Sequence, residues 1–262
     1  MSAEEELSFI WRTEEASLPI ALVETRDGMV LFVPGACDGK LVATLRNGEM
    51  IWGTDTVQDG ETVDVSPWIG KSVQVEADER KRSFTLKVMR GSAIPALFFD
   101  ITQEDWKRIL SNRNLDIQQE ASLVMVDPTG KTETADKLTS FHVHGNSTAF
   151  GSKKPFQFKL KEKASLDGMG KGKTWMLLAN WFDISLIRNQ ITFDLCRELG
   201  LAGTPDCSQT DVYVNGIYQG TYLLTEKIQL KKDRLDITNM EDELEALNGD
   251  ALSKAKRVGS SG

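Results

Sequence analysis

Residues Phe141–Lys161, FHVHGNSTAFGSKKPFQFKLK, join a small polar turn to a lysine-bearing alternating strand. Gly145 permits close approach of the backbone, and Asn146, Ser147 and Thr148 supply hydrogen-bond donors with little bulk. At the strand period of two, Phe156, Phe158 and Leu160 share one face, and Gln157, Lys159 and Lys161 share the other. One face is core; the other is free to meet an anion, so the stretch reads as a phosphate-facing hairpin. An ordinary hairpin with solvated lysines satisfies the same residues.

A second chemically unusual position lies in the helix expected over about Ser185 to Leu199, capped by Asp183 or Ser185 and ended at Gly200. Ile191, Thr192, Phe193, Leu195, Cys196 and Leu199 form its wide, mainly apolar arc. Arg188 and Asn189 break that arc. A guanidinium on a core-facing arc needs a carboxylate, phosphate or carbonyl partner. Arg188 therefore either braces an internal carboxylate or points into a cleft. Gly172-Lys173-Thr174 matches the end of a Walker motif, but the earlier glycine would have to stand at Asp167, so a P-loop is excluded.

The elements around these residues differ between the two parts of the chain. Residues 18 to 90 contain short apolar or alternating runs separated by Asp27-Gly28, Asp38-Gly39, Asn47-Gly48 and Asp59-Gly60, the turn dipeptides of tight hairpins. Such spacing predicts an antiparallel β-sandwich module, with Trp52 and Trp68 either buried in it or exposed as a carbohydrate platform. RGSAIP, Arg90–Pro95, interrupts the pattern and suggests a boundary, giving domains 1–92 and 93–262. Beyond it lie a buried strand (ALFFDI), a helix near Gln103–Leu110 with Thr102 and Asp105 as its capping box, and a second strand (SLVMVD). WMLLANW reads as core. DVYV, Asn215-Gly216 and IYQGTYLLTEKI form a hairpin in which Gly220 marks a bulge or a close approach.

Composition narrows the function classes. The 262 residues are 40% hydrophobic and 27% charged with 7 prolines, as in folded globular chains. A formal charge of -8 argues against bulk attraction to nucleic acid or an anionic membrane. Lys153, Lys154, Lys159, Lys161, Lys163, Lys171 and Lys173 nonetheless make one locally positive stretch. No run is apolar enough to span a membrane, and MSAEEELSF lacks the order of a secretory signal. Cys37, Cys196 and Cys207, with His142 and His144 as the only histidines, show neither zinc-ligand nor disulfide-framework spacing.

The ordered series HGNST, KKPFQFKL, WMLLANWFDISLIRNQITFDLCRELGL and DVYVNGIYQGTYLLTEKIQLKKDRLDI resembles the CotH family of atypical protein kinases, the spore coat protein H-like proteins, over about Pro95 to Ile237. The resemblance implies an α+β architecture: an N-terminal antiparallel β-sandwich followed by an incomplete protein-kinase-like domain, its smaller lobe. It implies ATP with Mg as phosphoryl donor, Ser residues of a protein as acceptors, and a bacterial surface or spore-coat setting. Gly145, Asn146, Ser147 and Thr148 would lie over the phosphates, and Lys154 or Lys159 would contact phosphate oxygens. Arg188 and Asn189 would face the cleft, and Leu223 to Glu226 would offer backbone groups to adenine.

His144 stands where the family usually has Arg before the Gly-Asn pair, which removes a permanent positive charge. The family's metal-binding and catalytic aspartates belong to a larger lobe, and no segment before Gly262 matches it. The chain is therefore expected to be a fragment that is inactive alone, with no catalytic or metal-ligating residue assigned. The competing expectation is a non-catalytic surface or coat-assembly protein whose β-sandwich binds glycan or protein.

Overall fold

Alternation of apolar and polar residues directs the first third of the chain into two sheets that meet over one core. In the computed structural model the described residues are 7–25, 28–35, 39–46, 49–77, 82–111, 121–229, 240 and 243–248. Cys37, the Asn47-Gly48 turn and the family-like run 230–237 lie outside them, as do Asp27 and Asp38. The strands of this part are β1 (Leu7–Arg12), β2 (Ser17–Ile20), β3 (Val23–Thr25), β4 (Gly28–Val33), β5 (Lys40–Leu45), β6 (Met50–Trp52), β7 (Asp55–Val57), β8 (Thr62–Asp64), β9 (Ser72–Ala77) and β10 (Arg82–Arg90). They form a four-stranded sheet, β2-β1-β5-β8, and a six-stranded sheet, β3-β4-β10-β9-β6-β7. The pairing is not wholly antiparallel as expected, because β10 runs parallel to β4. Trp11 and Trp52 are buried in the core between the sheets. A carbohydrate platform built on Trp52 is thereby excluded, since a stacking ring must be exposed.

The second part corrects the expected fold class. Half of the described residues are strand and 16% are helix, and in place of a kinase-like α+β lobe there is a closed barrel of seven strands. These are β11 (Ala96–Asp100), β12 (Ser122–Val126), β13 (Thr132–Val143), β14 (Phe156–Ala164), β15 (Gly172–Leu178), β16 (Cys207–Val214) and β17 (Ile217–Glu226), in the order β11-β12-β13-β14-β15-β17-β16. Parallel pairing of β11 with β16 closes the ring. The physical reason lies in the alternation: Leu97, Phe99, Leu123, Phe141, Phe158, Trp175, Leu177 and Val212 all enter one buried cluster, so the strands bury a common interior. Helix α1 (Gln103–Ser111) adds Trp106 and Ile109 to that cluster. Thr102 caps the helix as read, but the reciprocal bond differs from a capping box: the Asp105 amide donates to Thr102 Oγ1 at 3.2 Å, and the Thr102 hydroxyl rather than its backbone amide donates to Asp105 Oδ2 at 3.0 Å.

Helix α2 (Arg188–Glu198) also departs from expectation. It has no buried residue, and Ile191, Leu195 and Leu199 are 55%, 53% and 65% exposed. Its apolar arc does not face the barrel. Polar contacts hold it instead: Gln209 of β16 donates from Nε2 to Gln190 Oε1 at 3.1 Å and to Leu186 O at 3.2 Å.

The sandwich core extends onto the outside of the barrel. Ala96, Phe98, Val126 and Tyr213 belong to the sandwich cluster although their neighbours in sequence fill the barrel. Phe98 stacks on Tyr213 at 4.4 Å, and Phe32 of β4 stacks on Tyr218 of β17 at 4.7 Å. The Asn215-Gly216 hairpin adopts φ of 52° and 79°, and its tip meets the sandwich where the Ala21 amide donates to Gly216 O at 3.0 Å. Gly220 marks the expected irregularity: the register of β16 and β17 shifts between Val212 and Tyr213 beside it. Among the described residues no helix is long and apolar enough to cross a membrane, and Cys196 and Cys207 are free thiols.

Candidate functional site

The polar turn between β13 and β14 starts at Gly145, whose φ of +94° is a conformation that favours glycine, and a Cβ there would stand 2.5 Å from Thr148 Oγ1. Ser147–Phe150 then form a short 3-10 turn. Asn146 and Ser147 are exposed, and Thr148 is half-buried. Lys154 braces this turn from below, donating from Nζ to Ala149 O at 2.8 Å. Gly151 has a steric role, because a Cβ would stand 2.7 Å from the Trp181 ring.

Opposite the turn, the chain between β15 and α2 is held by side chains. Asn180 adopts φ of +48°, donates from Nδ2 to Leu186 O at 2.7 Å, and accepts from Asn189 Nδ2 at 2.7 Å. Asp183 accepts from the Ser185 hydroxyl at 2.6 Å, the Ser185 amide at 3.0 Å and the Arg188 amide at 2.9 Å. The Ser185 hydroxyl bond, followed by the Arg188 amide bond, holds this carboxyl below the usual range. Arg188 Nε lies 3.4 Å from Asp183 Oδ1, while its side chain remains 78% exposed. The braced and the cleft-facing alternatives for Arg188 thus coexist: one edge of the guanidinium meets Asp183, and much of the side chain is open to solvent.

Between the two segments is a cavity of about 260 Å³ lined by Thr148, Pro155, Leu178, Ala179, Asn180, Trp181, Phe182, Asp183, Arg188 and Asn189. It brings Thr148 together with Arg188 and Asn189, which stand forty residues away in sequence. The other candidates lie apart from its lining. Lys159 is exposed on the outer face of β14, opposite Ser140 and Thr174. Leu223–Thr225 lie inside β17 with β15 on one side and β16 on the other, and the Glu226 amide donates to Asp206 O at 3.2 Å. His144 is held below its ordinary pKa, first by burial and then by the charges of His142 and Lys227, so it is neutral at pH 7.

Sequence reasoning missed Asn180, whose signal was an Asn beside a strand end, a residue that tolerates left-handed backbone. It also missed Lys153 and Asp211. Lys153 donates from Nζ to Thr221 O, sits 4.3 Å from the Tyr222 ring centroid, and is pushed by burial to a pKa of about 8. Asp211 is buried at the seam with the sandwich, accepting from Thr221 at 2.8 Å and Tyr218 at 2.9 Å. An acid inside the apolar run DVYV was the available signal for it.

Fold and site together define a β-barrel protein with a side cleft carrying an exposed arginine and a glycine-initiated polar turn. Residues 141–259 match the model of the family described as CotH kinase protein. That span holds every residue of the cleft, so this part of the chain is CotH-like. No curated protein matches the chain.

Proposed function

We propose that the cleft binds the phosphates of ATP and that the protein serves phosphoryl transfer to Ser residues of a protein substrate. The observation that carries this reading is the meeting of Thr148 with Arg188 and Asn189 around one cavity, within the CotH-matching span. The donor set suits an anion. Arg188 presents N–H groups in a fixed fork, Thr148 a hydroxyl and Asn189 a carboxamide. Gly145 keeps the turn free of a side chain that would strike Thr148. In this reading Arg188 meets phosphate oxygens, Thr148 adds a neutral donor, and Lys154 positions the turn through Ala149 O without touching the ligand.

Magnesium is a different matter. Among the described residues no group of three or more His, Cys, Asp or Glu is placed to hold a metal ion. The one carboxylate in the cleft, Asp183, is already engaged by Ser185 and Arg188. These residues do not fit a magnesium site, and none of them is assigned a catalytic step.

Calorimetric titration with ATP and with inorganic tripolyphosphate tests the reading. Arg188→Ala is expected to weaken both by about tenfold, the loss of a charge-assisted contact. Its side chain is 78% exposed, so the fold survives the change. Equal affinities of wild type and variant would exclude the cleft as the phosphate site.

A further inference from the structure

The only two histidines of the chain stand two residues apart, at the end of β13. His142 lies inside the strand, and His144 extends it, since the His144 amide donates to Pro155 O at 2.9 Å. Phe141 and Val143 between them turn into the barrel core, so the period of two puts both histidines on the outer face. Their rings are 6.5 Å apart between centroids, and both residues are half-buried. This is not the spacing of a zinc finger. On a strand, however, it brings two imidazoles to where one ion can meet both.

Gln157 of β14 completes the group. It is the direct cross-strand partner of His142 and shares its face. Facing side chains in such a pair start about 4.5–5.5 Å apart at Cβ, within reach of a common ligand. Gln157 is only 9% exposed, and its Oε1 is buried without a hydrogen-bond partner. A buried acceptor left unpaired is costly and calls for something that completes it. The Ser140 hydroxyl, next on the same face, lies 3.4 Å from His142 Nδ1. Accepting from Nδ1–H, it leaves the lone pair on Nε2, the outer-shell arrangement typical of ligating histidines. His144 is neutral at pH 7, the form that binds a metal.

We propose that His142, His144 and Gln157 bind a divalent late transition ion, zinc or copper, through two imidazole nitrogens and the carboxamide oxygen. The donor set decides the class of ion. Imidazole suits zinc, copper and nickel, whereas magnesium and calcium take oxygen ligands. An ion held about 2.0–2.1 Å from each nitrogen needs no cavity of its own. The side chains close on it by torsion about χ1 and χ2 from their present ring separation of 6.5 Å. The charge of Lys227, felt at His144, works against any cation here, so an ion that binds imidazole weakly gains no hold. None of the three residues lines the cleft, and the assignment does not depend on its phosphate reading.

The test is calorimetric titration with zinc alone, in phosphate-free buffer, on the whole chain and on His142→Gln, His144→Gln, their double variant and Gln157→Leu. Wild type is expected to take up one ion that excess magnesium does not displace, and zinc should raise its melting temperature. Each histidine variant should bind zinc more than about tenfold more weakly, because even loss of an outer-shell partner costs roughly 10–100-fold. Gln157→Leu should weaken it severalfold. Copper(II) on the wild type should show electron-spin coupling to two imidazole nitrogens, and to one in either single histidine variant. Melting temperatures without metal check that the variants fold. If wild type and the double variant bind zinc equally, the ion is held elsewhere, and the proposal falls. If the histidine variants lose zinc while Gln157→Leu binds as wild type does, the carboxamide is not a ligand and the three-residue site is overturned.

Discussion

Replacing Gly216 by alanine tests whether the sandwich and the barrel share one folded unit. Gly216 has φ of +79°, and a Cβ there would lie 2.9 Å from Pro19 O, 3.0 Å from Ala21 N and 3.1 Å from Pro19 C. All three are backbone atoms of the sandwich. The left-handed conformation costs a non-glycine residue about 1–2 kcal/mol. Forcing a carbon into a closed contact adds about 1–3 kcal/mol, because the hairpin tip and the Pro19–Ala21 segment must separate. The total, about 2–5 kcal/mol, corresponds to a fall in melting temperature of roughly 5–15 °C for a chain of this size.

Gly168 supplies the control. Its φ is +72° and nothing lies within 4 Å of the Cβ position, so Gly168→Ala carries the conformational cost of about 1–2 kcal/mol alone. Thermal melts of the two variants, together with hydrogen exchange at the Ala21 amide that donates to Gly216 O, separate the terms. Gly216→Ala is expected to melt lower than Gly168→Ala and to lose protection at Ala21. Equal melting temperatures with retained protection would refute the seam as a closed, energetically coupled contact.

Other perturbations address the cleft and the buried charges. His144→Arg places a permanent charge next to Gly145 and is expected to tighten tripolyphosphate binding severalfold at pH 7, where His144 is neutral; calorimetry checks it. The same depressed pKa means that the folded state disfavours the protonated ring, so stability from this residue is present above pH 6.5 and is lost as the pH falls through the lower folded value. His144→Gln should flatten that acid limb in denaturant titrations. Lys153 titrates at about 8 in the fold against 10.5 unfolded, so stability should rise with pH above 8. Tyr218 and Tyr222, both pushed upward by burial, reverse that slope above pH 10; Lys153→Met should abolish the rise between pH 8 and 10 and leave the reversal. Asp183→Ala removes the acceptor for Ser185 and the Arg188 amide, and exchange at the first turn of α2 should accelerate while the barrel amides remain protected.

Much of the local structure was determined by sequence. Phe156, Phe158 and Leu160 alternate because a strand has a period of two, and all three are buried as read. Thr102 caps its helix through the Asp105 amide, and Asn215-Gly216 makes its hairpin, because each depends on a few adjacent dihedrals and short hydrogen bonds. The ordered runs from HGNST to TYLLTEK also marked the CotH-like span before any geometry was known.

Tertiary structure decided what those local elements became. Alternation cannot say whether strands lie in an open lobe or close on themselves; parallel pairing of Ala96–Phe99 with Asp211–Val214 made the barrel. The apolar arc of α2 appeared destined for a core, yet the outer face available to it is met through Gln190 and Gln209, and the arc stays exposed. Lys154, Lys159 and Arg188 carry the same formal charge in sequence, and only packing separates a lysine bonded to Ala149 O and a solvated lysine from the arginine at the cleft. Burial of Gln157 on a face that alternation marks as solvent-exposed is likewise a property of the assembled sheet, since its cost depends on which neighbours remove water without replacing the hydrogen bond.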